Sequence, residues 1–307
     1  MGNGLRIGVD LGGTKIEGIL LEPGGGEKFR ERVSTPRGDY DGTVRAIREV
    51  VARIERQAGA TATVGVGIPG TIIPSSGLVK NANSTWLNGK PFQMDLTAAM
   101  DREVRCANDA NCFAMSEAAD GAGNGYGVVF GVIIGTGCGG GVVVDGKIVG
   151  GANGVGGEWG HNPLPWMRPE EYPGPECYCG KRGCVEKWIS GTGFADDYQR
   201  VTGKKCTAEQ IVTASAQGDR EAEAAAQRLE DRMARSLAVM IHIIDPDVIV
   251  LGGGLSQFQR LYQNVQPKLK DYVFGGGAET PVVQAVHGDS SGVRGAAWLW
   301  SLREATE

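Results

Sequence analysis

Gly131-Val-Ile-Ile-Gly-Thr-Gly-Cys-Gly-Gly-Gly-Val-Val-Val144 aligns without a gap on Gly8-Val-Asp-Leu-Gly-Gly-Thr-Lys-Ile-Glu-Gly-Ile-Leu-Leu21. Each stretch reads as an apolar strand, a glycine turn and a second apolar strand. Gly135–Gly140 formally matches G-x-G-x-x-G, but Val142-Val-Val-Asp145 continues as a strand where a dinucleotide site needs a helix. No P-loop pattern occurs. The two hairpins therefore read as an internal duplication, each half opening on a turn of bare backbone. Glycine supplies 50 of 307 residues, in short runs with no fixed period. That fits tight turns and close backbone approach, and excludes a fibre.

Strand and helix patterns alternate outward from these hairpins. Phe29–Val33 alternates as a third strand. Val44, Ile47, Val51 and Ile54 fall on one face of a helix over 43–57. Val64–Ile68 and Val104–Ala107 read as further strands. Ala225, Leu229, Met233, Leu237 and Ile241 mark a long helix over 221–244, stopped at Asp245-Pro246. Val248–Leu251 is a buried strand closed by Gly252-Gly253-Gly254. Over 151–192 the periodicity fails, which predicts an irregular insertion in need of a staple. The net charge of −5 lacks the basic excess of a nucleic-acid binder, and the apolar runs are too short to span a bilayer. The opening Met-Gly-Asn-Gly-Leu-Arg has no secretory apolar region, so a cytoplasmic protein is expected.

Four segments carry chemistry. Asp10-Leu-Gly-Gly-Thr-Lys15 crowds backbone N–H groups into one turn, a phosphate nest to which Thr14 adds a hydroxyl and Lys15 a cation, with Asp10 suited to a hydrated Mg²⁺. An ordinary hairpin turn has the same pattern. Two such turns on duplicated halves suggest a bound nucleotide; Gly252–Gly254 is a third close-approach point or a plain strand-to-helix turn. Asn108-Asp-Ala-Asn111 precedes a helix, where Asp109 fits a cap or a general base, and spacing alone favours the cap. Cys177, Cys179 and Cys184 place three thiols in eight residues, with His161 the nearby imidazole. Three cysteines and one histidine make a closed tetrahedral zinc site, structural rather than catalytic. Such a knot would preorganise Glu158 and Glu186 toward a polyhydroxylated ligand. Two solvated glutamates are the alternative.

Together these segments resemble the ROK family of bacterial sugar kinases. The resemblance covers nearly the whole chain and rests on Asp10–Lys15, Asn108-Asp109, Gly135–Gly139, Gly157-Glu-x-Gly-His161, the cysteine cluster and Glu186. Lys80–Gly89, Gly160–Met167, Ile189–Phe194 and His287–Trp300 are similar to the family's fructokinases. The resemblance implies a duplicated actin-like (ribonuclease H-like) α/β fold with a cleft between two domains, 1–117 plus 292–307 and 118–291. The apolar run Val293–Trp300 would be a helix returning to the first domain. The resemblance also implies ATP, Mg²⁺ and structural Zn²⁺, a hexose acceptor, most simply D-fructose at O6, and a homodimer with no nucleic-acid or membrane partner. Asp109 would be the catalytic base. Asn108, Glu158, His161 and Glu186 would bind sugar hydroxyls, joined by Asn83 and Gly70. Gly8, Asp10, Gly12, Gly13, Thr14, Lys15, Gly135, Thr136, Gly137 and Gly253 would hold ATP. Glucokinases, mannokinases and N-acetylhexosamine kinases of the family share these motifs. Its DNA-binding repressors carry an N-terminal winged helix, and a first strand at Leu5 leaves no room for one.

Overall fold

A computed structural model describes residues 3–306. In chain order the elements begin β1 (Arg6–Leu11), β2 (Lys15–Leu21), β3 (Glu27–Ser34), α1 (Tyr40–Ala58) and β4 (Thr63–Ile68). A short pair, β5 (Thr71–Ile72) and β6 (Val79–Lys80), precedes α2 (Phe92–Met100), β7 (Val104–Asn108) and α3 (Asp109–Asp120). Then come β8 (Val128–Ile134), β9 (Cys138–Val144) and β10 (Lys147–Ile148). After an irregular stretch follow α4 (Glu186–Ile189), α5 (Gly191–Thr202), α6 (Ala208–Ala216), α7 (Arg220–Ile244), β11 (Val248–Gly252), α8 (Arg260–Leu269) and β12 (Val282–Gln284). The chain closes with α9 (Ser291–Ala297) and α10 (Leu302–Thr306).

The duplication is visible in the sheets. One has the order β3-β2-β1-β4-β7 and the other β10-β9-β8-β11-β12. In the first, β3, β2 and β1 are antiparallel neighbours, while β4 and β7 add in parallel. In the second, β10 pairs antiparallel with β9, and β8, β11 and β12 run parallel. The two sheets bear out the duplication read from the paired hairpins, in the actin-like α/β architecture that the resemblance implies.

The chain divides into two compact units. Residues 1–124, 141–156 and 289–307 form the first, and 125–140 with 157–288 form the second. In the first unit the core lies between the sheet and α1, where Ile47, Val50, Val51 and Ile54 pack against Ile7, Val9, Ile16 and Val64. Asp39 caps α1 by accepting from the Gly42 amide, and left-handed Gly59 ends it. The other sheet face carries α9, laid so close that a Cβ on Gly8 would sit 2.0 Å from the Val293 carbonyl oxygen, and one on Gly65 1.9 Å from that of Ala296. Only glycine admits that approach. The returning helix is thus real, and it lies in the first unit.

In the second unit α7 buries the predicted stripe from Ala225 to Ile241. It ends at left-handed Asp245 before Pro246. No helix among the described residues is long and apolar enough to cross a membrane.

Candidate functional site

In the first unit the chemistry gathers where β1 and β7 end. Asp10 faces Gly67 in the parallel β1–β4 register and Glu17 in the antiparallel β1–β2 register. Gly67 and Gly292 flank its carboxylate; a Cβ on either would stand 3.5 and 3.8 Å from Oδ1. Burial raises the Asp10 pKa to about 6, with further contributions from the charges of Asp109 and Glu17, while Lys15 opposes them. The charge of Asp109 thus reaches Asp10, and a divalent cation bound at Asp10 would offset it.

The turn after β1 is held rather than loose. The Gly12 amide donates to the Lys15 carbonyl at 2.9 Å, and the Thr35 hydroxyl donates to the Gly12 carbonyl at 2.8 Å. Gly13 and Thr14 are exposed, and open space surrounds Gly13. The Lys15 ammonium sits 3.0 Å from Glu17 Oε2. Gly8 lies in mid-strand beneath α9 rather than in the turn.

The helix cap falls one residue earlier than the spacing suggests. Asn108 is the cap, with extended backbone at φ −61 and ψ 149, and its Oδ1 accepts from the amides of Ala110 and Asn111. Asp109 already belongs to the first turn, and its Oδ1 accepts from the Ala110 amide at 2.8 Å. Its edge is open to solvent, yet the protein around it still raises its carboxyl, burial being the largest influence. Asn108 Nδ2 donates to the Gly70 carbonyl at 3.2 Å, and the Asn83 amide donates to the Pro69 carbonyl at 3.1 Å. The fold so brings Gly70, Asn83, Asn108 and Asp109 together.

In the second unit the four predicted metal ligands converge. The ligand atoms of His161, Cys177, Cys179 and Cys184 all lie within 4.8 Å of one another. His161 Nδ1 is 3.6 Å from Cys177 Sγ, and Cys179 Sγ is 3.6 Å from Cys184 Sγ. Tetrahedral zinc with bonds of about 2.0–2.3 Å requires ligand separations of roughly 3.4–3.8 Å, which these two separations meet. Backbone N–H groups reach Cys179, that of Lys181 foremost, and lower its thiol pKa; burial pushes Cys184 up to about 12 and raises Cys177. Cys177 and Cys184 are buried and Cys179 is exposed, and a bound cation would favour the thiolate form of all three. Bridges between Pro163 and Cys184 and between Glu176 and Arg182 shape the loop.

Tyr178 escaped the sequence reading. Its hydroxyl lies 2.9 Å from His161 Nε2, leaving Nδ1 to the cluster. Such a partner fixes ring orientation at a metal site. Burial, then the charges of Glu186, Cys177 and Glu158, push the phenol up to about 12. Its place between two cysteines of the cluster was the available signal. Glu158 is exposed and begins the short helix Trp159–His161, which the Trp159 indole anchors to the Gly139 carbonyl at 3.0 Å. Glu186 starts α4, and its Oε2 accepts from the Cys138 amide at 3.0 Å.

The Gly135–Cys138 turn borders a cavity of about 810 Å³ lined by Thr136, Gly191, Thr192, Glu209, Gly254 and Phe258 among others. That volume suits a nucleotide. The α6 and Phe258 walls carry no motif in sequence. Gly253 lies under the turn instead: at φ +82 its absent Cβ would meet Ile134 and the Gly135 amide at 2.8–2.9 Å.

Residues 6–303 match the ROK family. An N-acetyl-D-glucosamine kinase of Shigella boydii serotype 4 (strain Sb227) is 40% identical over 299 residues, covering 96% of this chain and 99% of that protein. Among solved structures, a ROK hexokinase from Thermus thermophilus superposes with a TM-score of 0.86 at 29% identity, over 97% of this chain and 98% of that one. A ROK family glucokinase from Streptomyces griseus, solved with glucose and AMPPNP, gives 0.75 at 28% identity over 96% and 98%.

Proposed function

Because the chain belongs to the ROK family, we propose that it transfers the γ-phosphoryl group of ATP to the primary hydroxyl of N-acetyl-D-glucosamine. The end-to-end likeness to a kinase of that sugar supports the acceptor. D-Fructose, which the Lys80–Gly89 and His287–Trp300 stretches favour, is the second reading.

Asp109 serves as base and takes the proton of the attacking hydroxyl. Asn108 holds the start of α3, so that Asp109 keeps its direction. Glu158, His161 and Glu186 of the second unit, and Asn83 and Gly70 of the first, are the residues proposed for the sugar hydroxyls. The turns at Gly12–Lys15 and Gly135–Gly137 receive the phosphates. Asp10 is the residue suited to Mg²⁺, which, when bound with the nucleotide, neutralises charge on the transferring phosphoryl group. His161, Cys177, Cys179 and Cys184 would hold a zinc ion, which would order the loop between Glu158 and Glu186. In-line alignment and exclusion of water then supply most of the rate. From the resemblance we place this activity in the cytoplasm and in a homodimer.

The test is an ADP-release assay with Mg²⁺ on N-acetylglucosamine, fructose, mannose and glucose. The highest kcat/KM on N-acetylglucosamine supports the first reading, and on fructose the second. No sugar-stimulated release from zinc-loaded protein overturns both.

A further inference from the structure

We propose that Thr192 is a positioning residue for the nucleotide, acting through the Gly135–Cys138 turn, and that the zinc-stapled segment ending in α5 is the strut that holds this turn. The proposal rests on the kinase reading above.

Three hydrogen bonds join the strut to the turn. Glu186 Oε2 accepts from the Cys138 amide at 3.0 Å, the Gly191 amide donates to the Gly135 carbonyl at 2.7 Å, and the Thr192 hydroxyl donates to the Thr136 carbonyl at 2.7 Å. They take up one end of the turn with a side chain and the other with backbone. Without Thr192, the exposed Thr136 peptide has no side chain holding its carbonyl. A peptide free to rotate no longer presents its neighbouring N–H groups in one direction, which is what a phosphate nest requires.

The strut itself is stiff. Cys184 lies two residues before Glu186, and the Lys187 amide donates to the Cys184 carbonyl at 2.9 Å. Trp188 is buried, with the guanidinium carbons of Arg200 and Arg232 at 4.7 and 4.4 Å from its ring centre. Ser190 caps α5 through the Gly193 amide at 3.0 Å. Glycine at 191 allows the contact, since a Cβ there would stand 3.0 Å from the Gly135 carbonyl oxygen. The path from thiolate to phosphate turn is therefore short and made of packed or hydrogen-bonded groups.

Thr192→Val keeps shape and removes the hydroxyl. In the zinc-loaded full chain with Mg²⁺, calorimetry should show ATP and ADP binding about tenfold more weakly, the change expected from one ordinary hydrogen bond. Adenosine, which has no phosphate, should bind as in the wild type. Zinc content, melting temperature and the sugar KM should not move, the KM for ATP should rise, and Thr192→Ser should restore it. Thr192→Ala repeats the test should the valine disturb folding. ADP binding as in the wild type overturns the proposal, as does an equal loss for adenosine or a serine variant that fails to restore binding. A wild type that binds no adenine nucleotide overturns the kinase reading together with this inference.

Discussion

Asn108 ties the start of α3 to Gly70: Oδ1 accepts from two helix amides while Nδ2 donates to the Gly70 carbonyl at 3.2 Å. One side chain thereby fixes the first turn of the helix and a loop far away in sequence. Asn108→Ala should lower unfolding free energy by about 1–2 kcal/mol, the range for a lost cap. Asn108→Ser should recover the cap but not the link to Gly70. Urea denaturation of the three proteins separates the two contributions.

Asp109→Asn should lower kcat by about 10²–10⁴-fold, the range for a general base. The melting temperature and zinc content should stay near wild type, since the Asp109 oxygen that meets the Ala110 amide has an amide counterpart. A kcat within about threefold of wild type would remove Asp109 from the base role, because that loss is far below what a base supplies.

Burial raises both Asp10 and Asp109, Asp10 to about 6, and the charge of Asp109 adds to the rise at Asp10. A base must be ionised to act, and a protonated Asp10 attracts Mg²⁺ less. Activity should therefore fall as pH drops through the region near 6, above the ordinary carboxylate range. A profile of kcat/KM at saturating Mg²⁺ that stays flat to pH 5 would count against this.

Glu171 lies buried between Arg232 and Arg235, at 2.8 and 2.7 Å. Burial works to raise its carboxyl, but the hydrogen bonds from Arg235 and Arg232 outweigh it and leave the pKa at about 2. A carboxylate depressed on folding contributes stability above its unfolded value and loses it as pH falls toward the folded one. This contribution should thus be complete above about pH 5 and fade below roughly pH 4. Glu171→Ala takes one carboxylate from two buried guanidinium groups, which keep Asp197 and Asp231, and should cost about 2–3 kcal/mol. Thermal melts of both proteins at pH 7 and pH 3 check sign and size.

Zinc removal should act on the loop before it acts on the core. One zinc per chain is expected, and Cys179→Ser should lower that occupancy. Chelation should expose residues 162–183 to protease and abolish activity, while the circular dichroism of the two sheets persists. Elemental analysis with limited proteolysis reads both effects.

The sequence disclosed features whose cause is local. The strand–turn–strand pairs follow from apolar runs broken by glycine, and Ala225 to Ile241 mark α7 by period alone. The cysteine spacing carries the metal cluster because a closed loop brings its own ligands together. Asn108 and Asp109 are adjacent capping types, so spacing could not say which residue stands outside the helix; backbone angles decide for Asn108. In sequence Lys15 adds a cation to the turn, and its salt bridge follows from Glu17 lying two residues along the same strand. The α6 wall of the cavity, Tyr178 on His161 and Thr192 on Thr136 are products of tertiary placement, for which no periodicity exists.

The contact of Gly8 with Val293 and Ala297 sets an order of events during synthesis. Strands β1 and β4 leave the ribosome early, but the helix that covers their glycine face is made after nearly all the rest of the chain. Until then that face has no cover from α9, and the closure that supplies it spans most of the sequence, a slow class of contact. The first strands to be made are among the last to be sealed, so a nascent chain stalled before Ser291 offers chaperones a sheet with one face bare rather than a finished unit.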